Sequence, residues 1–382
     1  MALPSSAVLA ERKKLQVGAE IVQNQQSTDF PGHWPGENHD WDLDYFKQAR
    51  CPRWPHFNVQ FHARPTPYDS SFSLTGVDTS VANAFRRIML SELPTLAIED
   101  VFIYQNTSII QDEVLAHRLG LIPLCGDPKG LEWMKWYVKP TDDDDGSGGP
   151  SDFNCAILHL DVECSWQEGG LQRAVAGETD PDKLYTNHSV YAKDLVWAPL
   201  GKQAEMFDDA QPIRATNPDI LIVKMRPGQR ITLTMHAMKG IGQDHAKYSP
   251  VATASYRLMP TIDITSPIVG ADAKKFARCF PKGVIRLDKI SAADAAADPA
   301  LAPHEGENRA VVDQPMNDTV SRECLRHPEF KDKVKLGRVR DHFIFRVEST
   351  GQIASDELFL ESVKELRTKA QRIKRGLDEM MK

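Results

Sequence analysis

The stretch "VDTSVANAFRRIMLSELPTLAIEDVFIYQNTSIIQDEVLAHRLGLIPL", residues 77–124, decides how this chain is read. Val81, Ala84, Phe85, Ile88 and Met89 recur at the spacing of a single apolar stripe on a helix of 3.6-residue period. Asp78, Thr79 or Ser80 can cap it and Pro94 closes it, so the spacing predicts a helix over 81–92. Arg86 and Arg87 lie beside the stripe; spacing alone makes them a solvated flank. Residues 96–104 read as a strand. Asp112 can then cap a second helix carrying Leu115, Ala116 and Leu119, which Gly120 and Pro123 terminate.

The 382 residues are enough to bury a sizeable core in two units. A formal charge of −7 argues against a broad nucleic-acid surface, which needs clustered Lys and Arg, so no direct specific DNA binding is expected. No apolar run reaches the ~18 residues of a spanning helix, and "MALPSSAVLAERKK" lacks the regions of a secretory signal; the expectation is an intracellular chain. Cys51, Cys125, Cys155, Cys164, Cys279 and Cys324 show no C-x-x-C spacing, which points to reduced thiols rather than disulfides or a zinc ribbon. Sequons at Asn106, Asn187 and Asn317 are read as chance, because nothing provides a secretory route.

Residues 1–55 mix Pro, Gly, His and Asp without periodicity and read as an extended arm, with Trp34, Trp41, Tyr45 and Phe46 as anchors. Strands are expected at 58–62 and 71–75, and at Leu158, Leu160 and Val162, which alternate with polar residues. Residues 220–225 and 231–237 flank Pro227-Gly228, a type II turn pair, and predict a hairpin burying Ile231, Leu233, Met235 and Ala237. "TDDDDGSGGPSD" at 141–152 reads as a loop, 284–287 as a strand, and 291–303 as flexible.

At the other end, Phe343, Phe345 and Val347 alternate in a strand that Gly351 ends, and Ser355 can cap a long helix with Asp356 and Glu357 in its first turn. Phe359, Val363, Leu366, Ala370, Ile373, Leu377 and Met380 follow as a heptad seam. That narrow stripe suits one partner helix better than a globular core.

No motif of catalysis stands out. Consecutive carboxylates at Asp142 to Asp145 in a Gly-Ser loop cannot converge on one ion without ordered backbone behind them. "KGIGQDHAK", 239–247, with Asp244, His245 and Lys247, lacks the spacing of a phosphate loop and is a weak signal alone. No nucleophile elbow, H-E-x-x-H or Cys-His cluster occurs. The expectation is no catalytic residue, no cofactor and no metal.

The block at 77–124 closely resembles the dimerisation motif of the alpha-like subunits of DNA-directed RNA polymerases. That resemblance implies an α/β (α+β) fold: a discontinuous dimerisation domain over 56–122 and 336–382, preceded by the arm at 1–55, with an inserted, mainly β domain at 123–335. Relatives carry cysteine clusters within the insert; only Cys279 and Cys324 stand in the matching region here, so 262–335 is expected to be a metal-free remnant. The 239–247 segment resembles a stretch of the alpha-like polymerase subunits, which implies that Asp244, His245 and Lys247 serve a structural loop or a subunit contact, the former favoured. The partner face it implies comprises Val81, Ala84, Phe85, Arg86, Arg87, Ile88 and Met89 with Phe359, Val363, Leu366, Ala370, Ile373 and Leu377. "STDFPG" at 27–32, "HRLGLIPL" at 117–124 and "CFPKGVIRL" at 279–287 resemble the larger alpha-like subunits shared by RNA polymerases I and III. The implied role is a nuclear and nucleolar assembly platform that heterodimerises with a smaller alpha-like subunit and docks the second-largest subunits of both enzymes. The corresponding RNA polymerase II subunit is the alternative, and a metal- or nucleotide-dependent enzyme using the acidic loop a remote one.

Overall fold

The computed structural model describes residues 14–17, 22–23, 57–138, 149–208 and 210–381. Strands β1 (Lys14–Val17), β2 (Val22–Gln23), β3 (Asn58–Thr66) and β4 (Asp69–Thr75) precede helix α1 (Thr79–Ser91). Asp78 starts that helix, its Oδ2 accepting the Ser80 N–H at 2.8 Å. Then come β5 (Pro94–Asn106) and α2 (Asp112–Gly120), where Gln111 takes the cap position and Asp112 the first turn. Strands β6 (Cys155–Glu163), β7 (Ser189–Tyr191), β8 (Val196–Ala198), β9 (Leu221–Lys224), β10 (Arg230–Ile241) and β11 (Val251–Ile264) follow. Further along lie α3 (Gly270–Arg278), β12 (Ile285–Lys289), α4 (Ala292–Ala297), β13 (Asn308–Val312), β14 (Val334–Ser349) and α5 (Ser355–Met380), with short helical turns between them. The fold is mixed α/β with several antiparallel sheets.

Two compact units divide the chain. One comprises 63–70, 83–255 and 346–382, and its main sheet runs β8-β6-β10-β5. Along β10, Ile231, Leu233, Met235 and Ala237 turn inward and are buried, packed with Leu158 and Leu160 of β6 and with Leu115 and Leu119 of α2. This is the alternation expected from the sequence, yet the expected hairpin does not form. The turn exists, with Gly228 at φ +88° and the Gln229 N–H donating to Arg226 O at 3.0 Å. Both edges of β10 are already taken, by β5 from Asn106 to Pro94 and by β6 from Glu163 to Cys155. Strand β9 therefore has no edge to join there, and pairs with β7 instead.

The other unit comprises 1–62, 71–82 and 256–345 and carries most of a six-stranded sheet, in the order β2-β1-β14-β4-β3 with β11 also on β14. Phe72 and Leu74 alternate inward from β4, and Phe343 and Phe345 from β14. Phe72 and Phe345 stack at 5.3 Å between centroids, and Tyr256 leans on Phe343 and Phe345. Within the stretch read as an extended arm, β1 pairs with β14, Lys14 opposite Val339, a strand that no periodicity announces. Trp34, Trp41, Tyr45, Phe46 and most of the acidic loop, 141–148, lie outside the described residues. A second apolar cluster gathers Ile268, Phe276, Val284 and Phe330 beneath α3 and the β12–β13 pair. The stretch expected to be flexible, 291–303, holds α4, whose capping box joins Ser291 and Asp294; the Ser-x-x-Asp spacing before an alanine run is the signal for it.

Phe345→Ala would leave a cavity between two aromatic rings. It should cost about 3–5 kcal/mol, read as a lowered denaturant midpoint of the full chain.

Candidate subunit interface

Helix α1 divides the residues expected on the partner face. Phe85, Ile88 and Met89 are buried within this chain, so they anchor the helix rather than face outward. Val81, Ala84 and Arg86 are half-buried, with Arg86 Nε donating to Asn83 Oδ1 at 3.1 Å; Arg87 is exposed. An apolar stripe at helical period tells which face is covered, not by whose residues it is covered.

Helix α5 meets α1 through its first turns. The Phe85 and Phe359 rings pack edge to face at 5.2 Å, Leu358 is buried, and Ser362 Oγ donates to Phe359 O. Ala354, not Ser355, occupies the cap position; Ser355 Oγ instead donates to Pro67 O at 3.0 Å. Arg64 pairs with Asp356 at 2.9 Å, and Lys369 with Glu92 at the end of α1. The seam then leaves the surface of its own unit. Val363 is 39 % exposed and Leu366 half-buried, but Ala370 is exposed, as is every residue from 370 to 380. Ile373, Leu377 and Met380 stand 66, 54 and 85 % exposed on one stripe. At 1.5 Å per residue, that open end is about 16 Å long. Leu360, also exposed, lies off the heptad positions, so periodicity does not single it out.

The 239–248 segment holds α1 from behind. A Cβ at Gly242 would stand 2.3 Å from Leu90 O, so only glycine lets the loop close on the last turn of α1, where the Gln243 N–H donates to Ser91 O at 2.9 Å. A Cβ at Gly240 would enter the Tyr248 ring. The two glycines thus serve close packing, a need that only the tertiary contacts reveal. Lys247, its side chain 12 % exposed, donates to Ile98 O at 2.8 Å and pairs with Glu99, which also accepts from Tyr248 OH at 2.8 Å. Burial and that neighbouring carboxylate push the Tyr248 phenol up, so it stays a donor at neutral pH. His245 Nδ1 accepts the Lys247 N–H at 3.1 Å, and Asp244 is exposed at the rim.

Among the described residues, no group of three or more His, Cys, Asp or Glu could hold a metal ion, and no helix is long and apolar enough to cross a membrane. Burial pushes the Cys155 thiol up to about 11 and Cys324 to about 12, away from the thiolate form that metals and electrophiles take. What the arrangement can do is present a surface: one anchored helix bearing an open apolar stripe.

Gly242→Ala should lower the stability of the chain by about 1–3 kcal/mol, because backbone rather than a flexible side chain would have to yield; thermal melting checks it.

The model of the RNA polymerase Rpb3/Rpb11 dimerisation domain matches residues 71–370. The chain is similar to the DNA-directed RNA polymerases I and III subunit RPAC1 of Saccharomyces cerevisiae, 46% identical over 94% of this chain and 97% of that protein. It is 41% identical to the subunit of the same name in Homo sapiens, over 98% of both chains. The RNA polymerase II subunit rpb3 of Dictyostelium discoideum is 29% identical, over 78% of this chain and 87% of its own. The chain therefore belongs to the RNA polymerase Rpb3/Rpb11 dimerisation-domain family, in its RPAC1 branch.

Proposed function

We propose that this chain is a non-catalytic assembly subunit of nuclear RNA polymerases I and III, acting in the synthesis of rRNA, tRNA and 5S rRNA from the nucleus and nucleolus. It heterodimerises with a smaller alpha-like subunit, and the pair then docks the second-largest subunit of either enzyme. The observation that carries this reading is the exposed stripe Ile373, Leu377 and Met380 on a helix whose described contacts with the rest of the chain reach as far as Lys369. Covering such side chains yields about 1.5–3 kcal/mol each before ordering costs, enough to make this helix end a main adhesive element. Val363, Leu366 and Ala370 continue the stripe inward, while Arg87, exposed on α1, is the arginine of the pair available to the second-largest subunit. Phe85, Ile88 and Met89 contribute by fixing the angle at which α1 and α5 are presented. The domain arrangement that fits this role is a dimerisation domain drawn from both ends of the chain, 56–122 and 336–382, with 123–335 inserted.

Ile373→Asp combined with Leu377→Asp places two carboxylates in the seam. Each costs at least ~2 kcal/mol when buried unpaired, so co-expression with the smaller alpha-like subunit should yield at least a hundredfold weaker complex. The melting temperature of the isolated variant should stay unchanged, since both positions are exposed. Undiminished complex would refute the interface. Affinity purification of the full chain from its source should recover the largest subunits of two polymerases; RNA polymerase II chains alone would refute the assignment.

A further inference from the structure

Beyond the proposed assembly role, one polar cluster sits where the sheet alternation would allow solvent. On β4, Phe72 and Leu74 face the aromatic core, so Ser73 points to the opposite side, yet it is only 2 % exposed. Two imidazoles cover it. His62 from β3 brings Nε2 to 2.6 Å from Ser73 Oγ, and His342 from β14 brings Nε2 to 2.8 Å from the same oxygen. Among the described residues β3 is the outer strand of its sheet, so side chains that tie it inward act beside a single ladder of backbone bonds.

The hydroxyl has one hydrogen to give. If it donates to one Nε2, it can only accept from the other, so a neutral pair must hold opposite tautomers and the two bonds run in one direction across three strands. A proton added to the accepting imidazole turns both Nε2 groups into donors. The serine hydrogen then has no acceptor in a place water scarcely reaches, a loss that buried hydroxyls do not tolerate cheaply. We infer that His62, Ser73 and His342 form an acid-released clasp that fastens the edge strand β3 to β4 and β14.

At His342, electrostatics favour the neutral state. Burial holds His342 below the ordinary imidazole value of 6.5. Among the described residues, the adjacent Asp341 carboxylate opposes that shift, while the His62 ring from β3 adds to it. A base whose proton affinity is depressed by folding contributes its stability above the unfolded value. Its contribution is lost as pH falls from about 6.5 through the lower folded value.

The test is amide hydrogen exchange on the full chain between about pH 7.5 and about pH 5.5, corrected for intrinsic exchange chemistry. Protection of the β3 amides should fall selectively on acidification, by about tenfold for each unit of depression at His342, while β10 stays protected. Ser73→Ala and His342→Gln should each abolish that step, and the glutamine, whose amide oxygen can accept the serine hydrogen at any pH, should keep β3 protected at acidic pH. A step of full size in His342→Gln, or flat β3 protection in the unaltered chain, would overturn the clasp. Should a variant fail to fold, NMR titration of the unaltered chain decides: a His342 ring titrating below 6.5 supports it, and one titrating at or above 6.5 refutes it.

Discussion

The packing of Phe359 against Phe85 is the contact on which the placement of α5 on α1 depends. It joins a helix close to the start of the chain to one at its end, and both rings are buried. Because apolar burial is non-directional, two rings alone would leave the crossing loosely set. Direction comes from polar bonds at the ends of the contact: Ser355 on Pro67 O, Arg64 on Asp356, and Lys369 on Glu92. Hydrophobic area supplies the adhesion, and these bonds choose one geometry among those the area would permit.

Behind α1, the backbone of the 239–248 segment does similar work by closeness rather than by charge. Gly242 lets one main chain rest on another, and Gly240 lets the Tyr248 ring lie across the strand. The phenol and Lys247 then meet on Glu99, so the polar groups of a tight loop are satisfied without water between them. In a motif whose glycines and Asp-His pair could suggest ligand chemistry, packing accounts for Gly240, Gly242 and Lys247, while Asp244 and His245 stay exposed.

Periodic features are legible in the amino-acid sequence because they are local. The stripe of α1, the inward residues of β10, the aromatic alternation of β14 and the seam of α5 all follow from 3.6- or 2-residue repeats. Partner choice is not legible in that way. Pro227-Gly228 announces a turn, but whether its flanking strands pair depends on β5 and β6, far away in sequence, having filled both edges of β10. The same limit governs α1: Phe85, Ile88 and Met89 bury themselves at home, while Ile373, Leu377 and Met380, similar in pattern, do not. Which stripe remains open is a property of where each helix runs out of its own surface. No window of sequence contains that.

The one-sided anchoring of α5 bears on what happens to a surplus copy. From 370 to 380 every side chain of this helix is exposed, so its last turns rest on continuity with the anchored ones before them, and a greasy end of this kind is what cellular triage machinery engages. A copy whose stripe stays uncovered keeps that end open to chaperones and proteases, and any surface that covers it closes it.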